Sequence, residues 1–189
     1  IIPNSGHKFG YIFKQFKDVK DLNTKMTIPE TMKEVTIKEM DGNEKIDNIS
    51  TKLWMIKKKV TVDGQEAYPT VNNLQVYKNQ SVYLEADANE DYVIEGNYVT
   101  LPDQNGKQNN YYFLNDHVHV DANKENEVIF NKEDLAQVKI KANTDGFNDF
   151  RGAILYPYNK YSQSFTASLR TGHNFFVPSN LEMDLQAQV

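Results

Sequence analysis

Cysteine is absent from all 189 residues of this chain. Its absence rules out disulfides, thiolate metal sites and cysteine nucleophiles together. It also argues against a small disulfide-stapled scaffold, while leaving export open, because a core of this size is stable without staples. Arginine is nearly absent too: of 21 basic residues, Arg151 and Arg170 alone are arginines. The one basic run, MIKKKV at 55–60, would be divided between two faces by strand alternation. With a net charge of −5 and no concentrated basic face, a nucleic-acid partner is not expected, since phosphate neutralisation supplies most of that affinity.

Long apolar runs are missing. None approaches the roughly 20 residues of a membrane-spanning helix, so membrane insertion is not expected. No basic stretch leads into an apolar segment in the manner of a signal peptide. The glycine-framed motifs of nucleotide binding and of the serine nucleophile elbow are missing as well. The chain opens on Ile1 rather than Met, from which we expect a processed form or a piece of a longer exported or multidomain protein.

What is present is a two-residue hydrophobic period. Residues 1–30 read as a lead-in, with a short amphipathic helix at 11–22 that lines up Ile12, Phe13, Phe16 and Val19 before Pro29 breaks the pattern. From residue 31 the segments EVTIKEM, TKLWMIKKKVTV, NLQVYKN, SVYLEAD, NYYFLND, HVHV, EVIFN, AQVKIKA, GAILYPY, SFTASLR and HNFFV are short, rich in β-branched and aromatic residues, and bounded by Asn, Asp, Gly or Pro. VDGQ at 62–65 is a hairpin signal, because Asp-Gly accepts the positive φ angles of a type I′ turn. The final stretch alternates without fault, with Leu181, Met183, Leu185, Ala187 and Val189 on one face and Glu182, Asp184, Gln186 and Gln188 on the other. Roughly eleven or twelve such strands predict an all-β fold, an antiparallel β-sandwich or jelly roll, as a single domain over 31–189. An internal echo links DANEDYVIEGNYVTL at 87–101 with DANKENEVIFNKEDL at 121–135, each an acidic turn leading into a strand.

Two groups of residues invite a metal. His117 and His119 share a strand face, as two ligands of one ion must, with His173 as the later histidine. Val118 and Val120 would then fill the buried face and leave both histidines beside Asp116 in solvent, and this bland placement is the expected one. Asp87, Asn89 and Asp91 resemble the opening of a calcium loop, and Asp121, Asn123 and Glu125 repeat it. Tyr92 and Tyr98 stand where such a loop needs glycine and glutamate, so Asx-type turns are expected. No cofactor is expected, a structural calcium being the alternative these turns leave open.

The remaining signal is aromatic and polar. Tyr111, Tyr112, Tyr156, Tyr158 and Tyr161 are interleaved with Asn and Lys, a composition suited to recognition surfaces, where tyrosine adds contact area at small entropic cost. The function expected is therefore a non-enzymatic binding or assembly module of an extracellular, cell-surface or virion structure: an adhesin, a pilus or fibre subunit, or a capsid-type jelly roll. Its partner would be a protein or glycan, or copies of itself. The alternatives are a metal-dependent cupin-like enzyme built on His117 and His119, and a carbohydrate-binding module. If the parent is a Gram-positive surface protein, an intramolecular isopeptide between Lys and Asn beside a buried acid would replace the missing disulfides; Lys and Asn are too numerous for the sequence to name a pair, and no such bond is expected.

Overall fold

The computed structural model describes residues 9–11, 30–75, 81–86, 91–138, 154–161, 174–180, 182 and 184–188. Within them lie fifteen strands and a single 3-10 turn at Lys132–Asp134. One sheet contains β1 (Phe9–Tyr11), β8 (Val82–Glu85), β2 (Met32–Asp41) and β11 (Asn126–Asn131) in that order, with the short β3 (Glu44–Lys45) folded back on β2. The larger sheet runs β12 (Leu135–Val138), β14 (Asn174–Pro178), β10 (Asn109–Val118), β9 (Tyr92–Thr100), β4 (Ile49–Lys58), β7 (Thr70–Gln75). Two ribbons complete the fold, the hairpin β5 (Val60–Val62) with β6 (Gln65–Ala67), and β13 (Ile154–Tyr158) with β15 (Asp184–Gln188).

The two large sheets pack face to face, as expected for an all-β sandwich. Val35 and Ile37 of β2, Val82 and Leu84 of β8, and Val128 and Phe130 of β11 meet Trp54 and Ile56 of β4, Ile94 and Tyr98 of β9, and Phe113 of β10. Alternate residues of these six strands thus enter one shared core, which is the period-two pattern made physical. The sheets are mixed, however, and not purely antiparallel: β1 lies parallel to β8, β11 to β2 and β14 to β10. Parallel neighbours require long connections, and local periodicity carries no trace of them.

The chain passes repeatedly between the sheets. It crosses at 46–48, at 86–91 between β8 and β9, and back at 119–125 between β10 and β11. The last crossing contains the second echoed acidic segment, while 87–90 of the first lie outside the described residues. Elsewhere the turn chemistry holds: Asp63 and Gly64 both take positive φ, 50° and 79°, between β5 and β6. Segments NYYFLND and HVHV, expected as separate strands, largely merge into β10, with a register shift between Asn115 and Val118. Part of the lead-in is strand too, since Tyr11 closes β1; the helix expected over the rest of 11–22 lies outside the described residues, as does SFTASLR. The C-terminal strand is found at Asp184–Gln188, antiparallel to β13.

The strand least visible to periodicity is the most deeply placed. Residues Tyr92 through Tyr98 of β9 are all buried, on both faces, because β4 and β10 flank them and both sides of the sheet are covered. At its midpoint Gly96 lies beneath the ring of Tyr98, which receives the indole N–H of Trp54 on its hydroxyl. A β-carbon on Gly96 would sit 2.5 Å from Tyr98 Cε2. Gly96→Ala is therefore expected to destabilise the fold by about 1–3 kcal/mol through forced displacement of that ring. Chemical denaturation of the variant checks this, and an unchanged midpoint would show that the ring is not held.

Candidate functional site

The outward face of the larger sheet carries the polar chemistry of the molecule. Alternation sends Lys57 of β4, Glu95 and Asn97 of β9, and Asn110 and Tyr112 of β10 to this side, and all five are buried. The run MIKKKV is indeed split between faces, and its first two lysines are both buried: Lys57 points outward and Lys58 inward over the ring of Tyr92, at 1% and 6% exposure, while Lys59 reaches solvent. Lys57 Nζ lies 2.9 Å from Glu95 Oε2, an ion pair without hydrogen-bond alignment at that oxygen. Lys57 also donates to the backbone carbonyl of Tyr161. The Tyr112 hydroxyl donates to Glu95 Oε1 and accepts from Asn159 Nδ2 at 2.9 Å. Asn159 Oδ1 in turn accepts from the backbone N–H of Tyr161 at 2.8 Å. Burial, then the charge of Glu95, pushes the Tyr112 hydroxyl far above its ordinary range.

A second buried carboxylate sits between the sheets. Glu39 of β2 points inward with Val35 and Ile37, and accepts from Lys52 Nζ at 2.8 Å. Tyr98 lies beside it, its hydroxyl raised well above the ordinary value by burial first and the Glu39 charge second. Each buried acid is thus answered by a lysine of β4.

At one end of the sandwich the buried network opens onto a continuous rim. Tyr68 and Tyr161 meet edge to face at 4.8 Å, with Lys160 Nζ over the Tyr161 ring at 4.7 Å. The Tyr161 hydroxyl donates to Asp116, Asp116 Oδ1 lies 3.8 Å from His117 Nε2, and His117 Nδ1 lies 3.7 Å from Asp91 Oδ2. Asp91 Oδ1 approaches His119 Nδ1 at 3.3 Å. On the other side Tyr68 donates to Glu66 at 2.7 Å, which also takes Lys59. The Tyr68 hydroxyl is pushed up to about 12 by partial burial and then by Glu66, while the Lys59 hydrogen bond, followed by that from Tyr68, lowers Glu66.

The structure redistributes the residues singled out from the sequence. Tyr111 and Tyr112 are core residues, 3% and 0% exposed on opposite faces of β10, so packing and internal hydrogen bonds occupy them and they offer no recognition surface. Tyr161 bridges the buried network and the rim. Tyr156 and Tyr158 lie in β13, where side chains are outside the described residues. His117 and His119 are solvent-facing, with side chains 82% and 52% exposed, and Val118 and Val120 are buried behind them. Their shared neighbour is Asp91, whose sequence partners Asp87 and Asn89 lie, like His173, outside the described residues. Asp121 caps its own turn, accepting from Asn123 N at 2.8 Å, and that backbone bond holds its carboxyl below the usual range. Among the described residues no group of three or more His, Asp or Glu side chains is arranged to hold a metal ion, and no helix is long and apolar enough to cross a membrane. Glu95, Asn159 and Tyr68 carry little signal in the sequence, and Lys57 appears there only as one lysine of a basic run; the faint sign of Glu95 is a lone carboxylate within an apolar segment.

The chain matches no family model, no curated protein and no solved structure.

The raised tyrosines make a prediction about alkali. In an unfolded chain a tyrosine ionises near pH ~10, whereas burial holds the protons of Tyr98, Tyr111, Tyr112 and Tyr161 above that in the fold. Their contribution to stability is complete below pH ~10 and is lost as pH rises through the folded values. Tyrosinate absorbance and circular dichroism recorded together in rising pH should show these tyrosines ionising only as the sheets unfold. Complete titration near pH ~10 with the sheet signal intact would contradict the burial described here.

Proposed function

We propose that this chain is a binding or assembly module of an extracellular surface structure, and that the rim formed by Glu66, Tyr68, Asp91, Asp116, His117, His119, Lys160 and Tyr161 is its recognition edge. One observation carries this reading. Side chains from four stretches far apart in sequence form a single unbroken chain of contacts at one end of the sandwich, from Glu66 to His119. Contacts between exposed polar side chains add little to stability, even a surface ion pair giving typically ~0–1 kcal/mol, so stability alone does not account for gathering them. Mixed charge beside a half-buried tyrosine suits a polar ligand: the Tyr68 ring, propped by the buried Tyr161, supplies contact area, and carboxylates, imidazoles and an ammonium supply directional hydrogen bonds. A protein or glycan surface presents both kinds of partner.

The test is retention of the purified protein on arrayed oligosaccharides and immobilised extracellular proteins, with the wild type compared with His117→Ala combined with Lys160→Ala. Both positions are exposed, so the melting temperature should hold while retention falls about tenfold or more, the scale of a residue worth more than ~1.4 kcal/mol in an interface. Retention unchanged by the double variant would move the ligand off this rim. Stoichiometric bound metal that is lost in His117→Ala with His119→Ala would instead favour the cupin-like enzyme.

A further inference from the structure

The buried pair Lys57–Glu95 asks for a use. Ion pairs removed from water recover their desolvation cost only with excellent geometry and full hydrogen bonding, and apolar replacements often serve stability as well or better. Here both side chains are almost wholly shielded, at 2% and 0% exposure, and Glu95 Oε2 meets Lys57 without an aligned hydrogen bond. Their hydrogen-bond partners lead on both sides to one side-chain amide, that of Asn159. Tyr161 holds both reactants by its backbone, its carbonyl accepting from Lys57 Nζ and its N–H donating to Asn159 Oδ1. Glu95 reaches Lys57 through one oxygen and, by way of the Tyr112 hydroxyl, the Asn159 nitrogen through the other.

We propose that Lys57 and Asn159 join in an intramolecular isopeptide bond, with Glu95 as the proton carrier, Tyr112 as its relay and the Tyr161 N–H as the oxyanion donor. Handing a proton from Lys57 to Glu95 removes both buried charges and frees the Nζ lone pair. Nζ then forms a bond to Asn159 Cγ, and the negative charge gathering on Oδ1 is met by the Tyr161 N–H, a preorganised backbone donor. As Cγ becomes tetrahedral, Nδ2 regains its lone pair, and the hydrogen bonds through Tyr112 reverse to deliver the Glu95 proton to it. The Cγ–Nδ2 bond breaks. Nζ gives up its second proton to Glu95, and that proton leaves with the departing nitrogen as ammonium, so Glu95 returns to carboxylate. Nothing is oxidised or reduced, and no cofactor takes part. The bond would tie the segment after β13 to a central strand of the larger sheet, a covalent link between distant parts of a chain that has no cysteine.

The isopeptide stands apart from the ligand reading and is tested without any ligand. Intact mass spectrometry of the full purified chain is expected to give a mass lower than the sequence mass by one ammonia, and digestion a branched peptide joining Lys57 to Asn159. Glu95→Gln, Lys57→Met and Asn159→Ala should each restore the full sequence mass for the variant and abolish the branched peptide. Asn159 follows a strand end and is incompletely buried, so Asn159→Ala serves as the control should the two core variants fail to fold. A wild-type mass equal to that of the unmodified sequence would overturn the proposal. So would a loss of ammonia that persists in Asn159→Ala, or a cross-link mapping to Asn97 or Asn110.

Discussion

Strand β9 is covered on both faces, and the consequences of this double burial reach every other element. Its inward residues Tyr92, Ile94 and Tyr98 join the core between the sheets, while its outward residues Val93, Glu95 and Asn97 are buried as well. A strand in that position must satisfy each polar group internally, since water is out of reach. Its backbone is paired on both sides, by β4 and by β10. Its single carboxylate takes Lys57 from one neighbour and Tyr112 from the other. The three strands are thereby linked by side chains as well as by their backbone ladders.

Strand β4 serves both polar centres. Lys52 reaches Glu39 across the inter-sheet space, and Lys57 reaches Glu95 on the outward face. A one-residue slip of β4 would invert its faces, taking both lysines from their acids and turning Trp54 and Ile56 away from the core between the sheets. Charged pairs of this kind contribute little net stability against apolar replacements, but removing one partner is costly, because a buried charge is left alone. Both therefore act as markers of register. The same logic accounts for the Trp54 indole, whose N–H finds the Tyr98 hydroxyl over Gly96, a position with no side chain to obstruct the ring.

The rim proposed for recognition grows from this interior. Tyr161 is buried at its backbone contacts with Lys57 and Asn159, while its hydroxyl meets Asp116 at the rim. From there the contacts run outward through His117 at the end of β10 and Asp91 to His119. In the proposed reading, the hydrogen-bonded network beneath would fix the geometry of the exposed imidazoles above.

The all-β class, the short strands, the Asp-Gly hairpin and the placement of His117 and His119 in front of Val118 and Val120 were legible in the residues themselves, because each is a local matter of period two or turn chemistry. So was the division of MIKKKV between two faces. The burial of both faces was not legible, because a strand covered on each side loses its alternation; thus Tyr92–Thr100 showed only as the sequel to an acidic turn, and Tyr111 and Tyr112 looked like surface. The parallel pairings, the meeting of Lys57 with Glu95 and the Tyr161 carbonyl, and the joining of Asp91 to both histidines belong to tertiary structure alone. They depend on which strands become neighbours across long stretches of chain, and that choice is made by the packing of the whole core, not by any local run of residues.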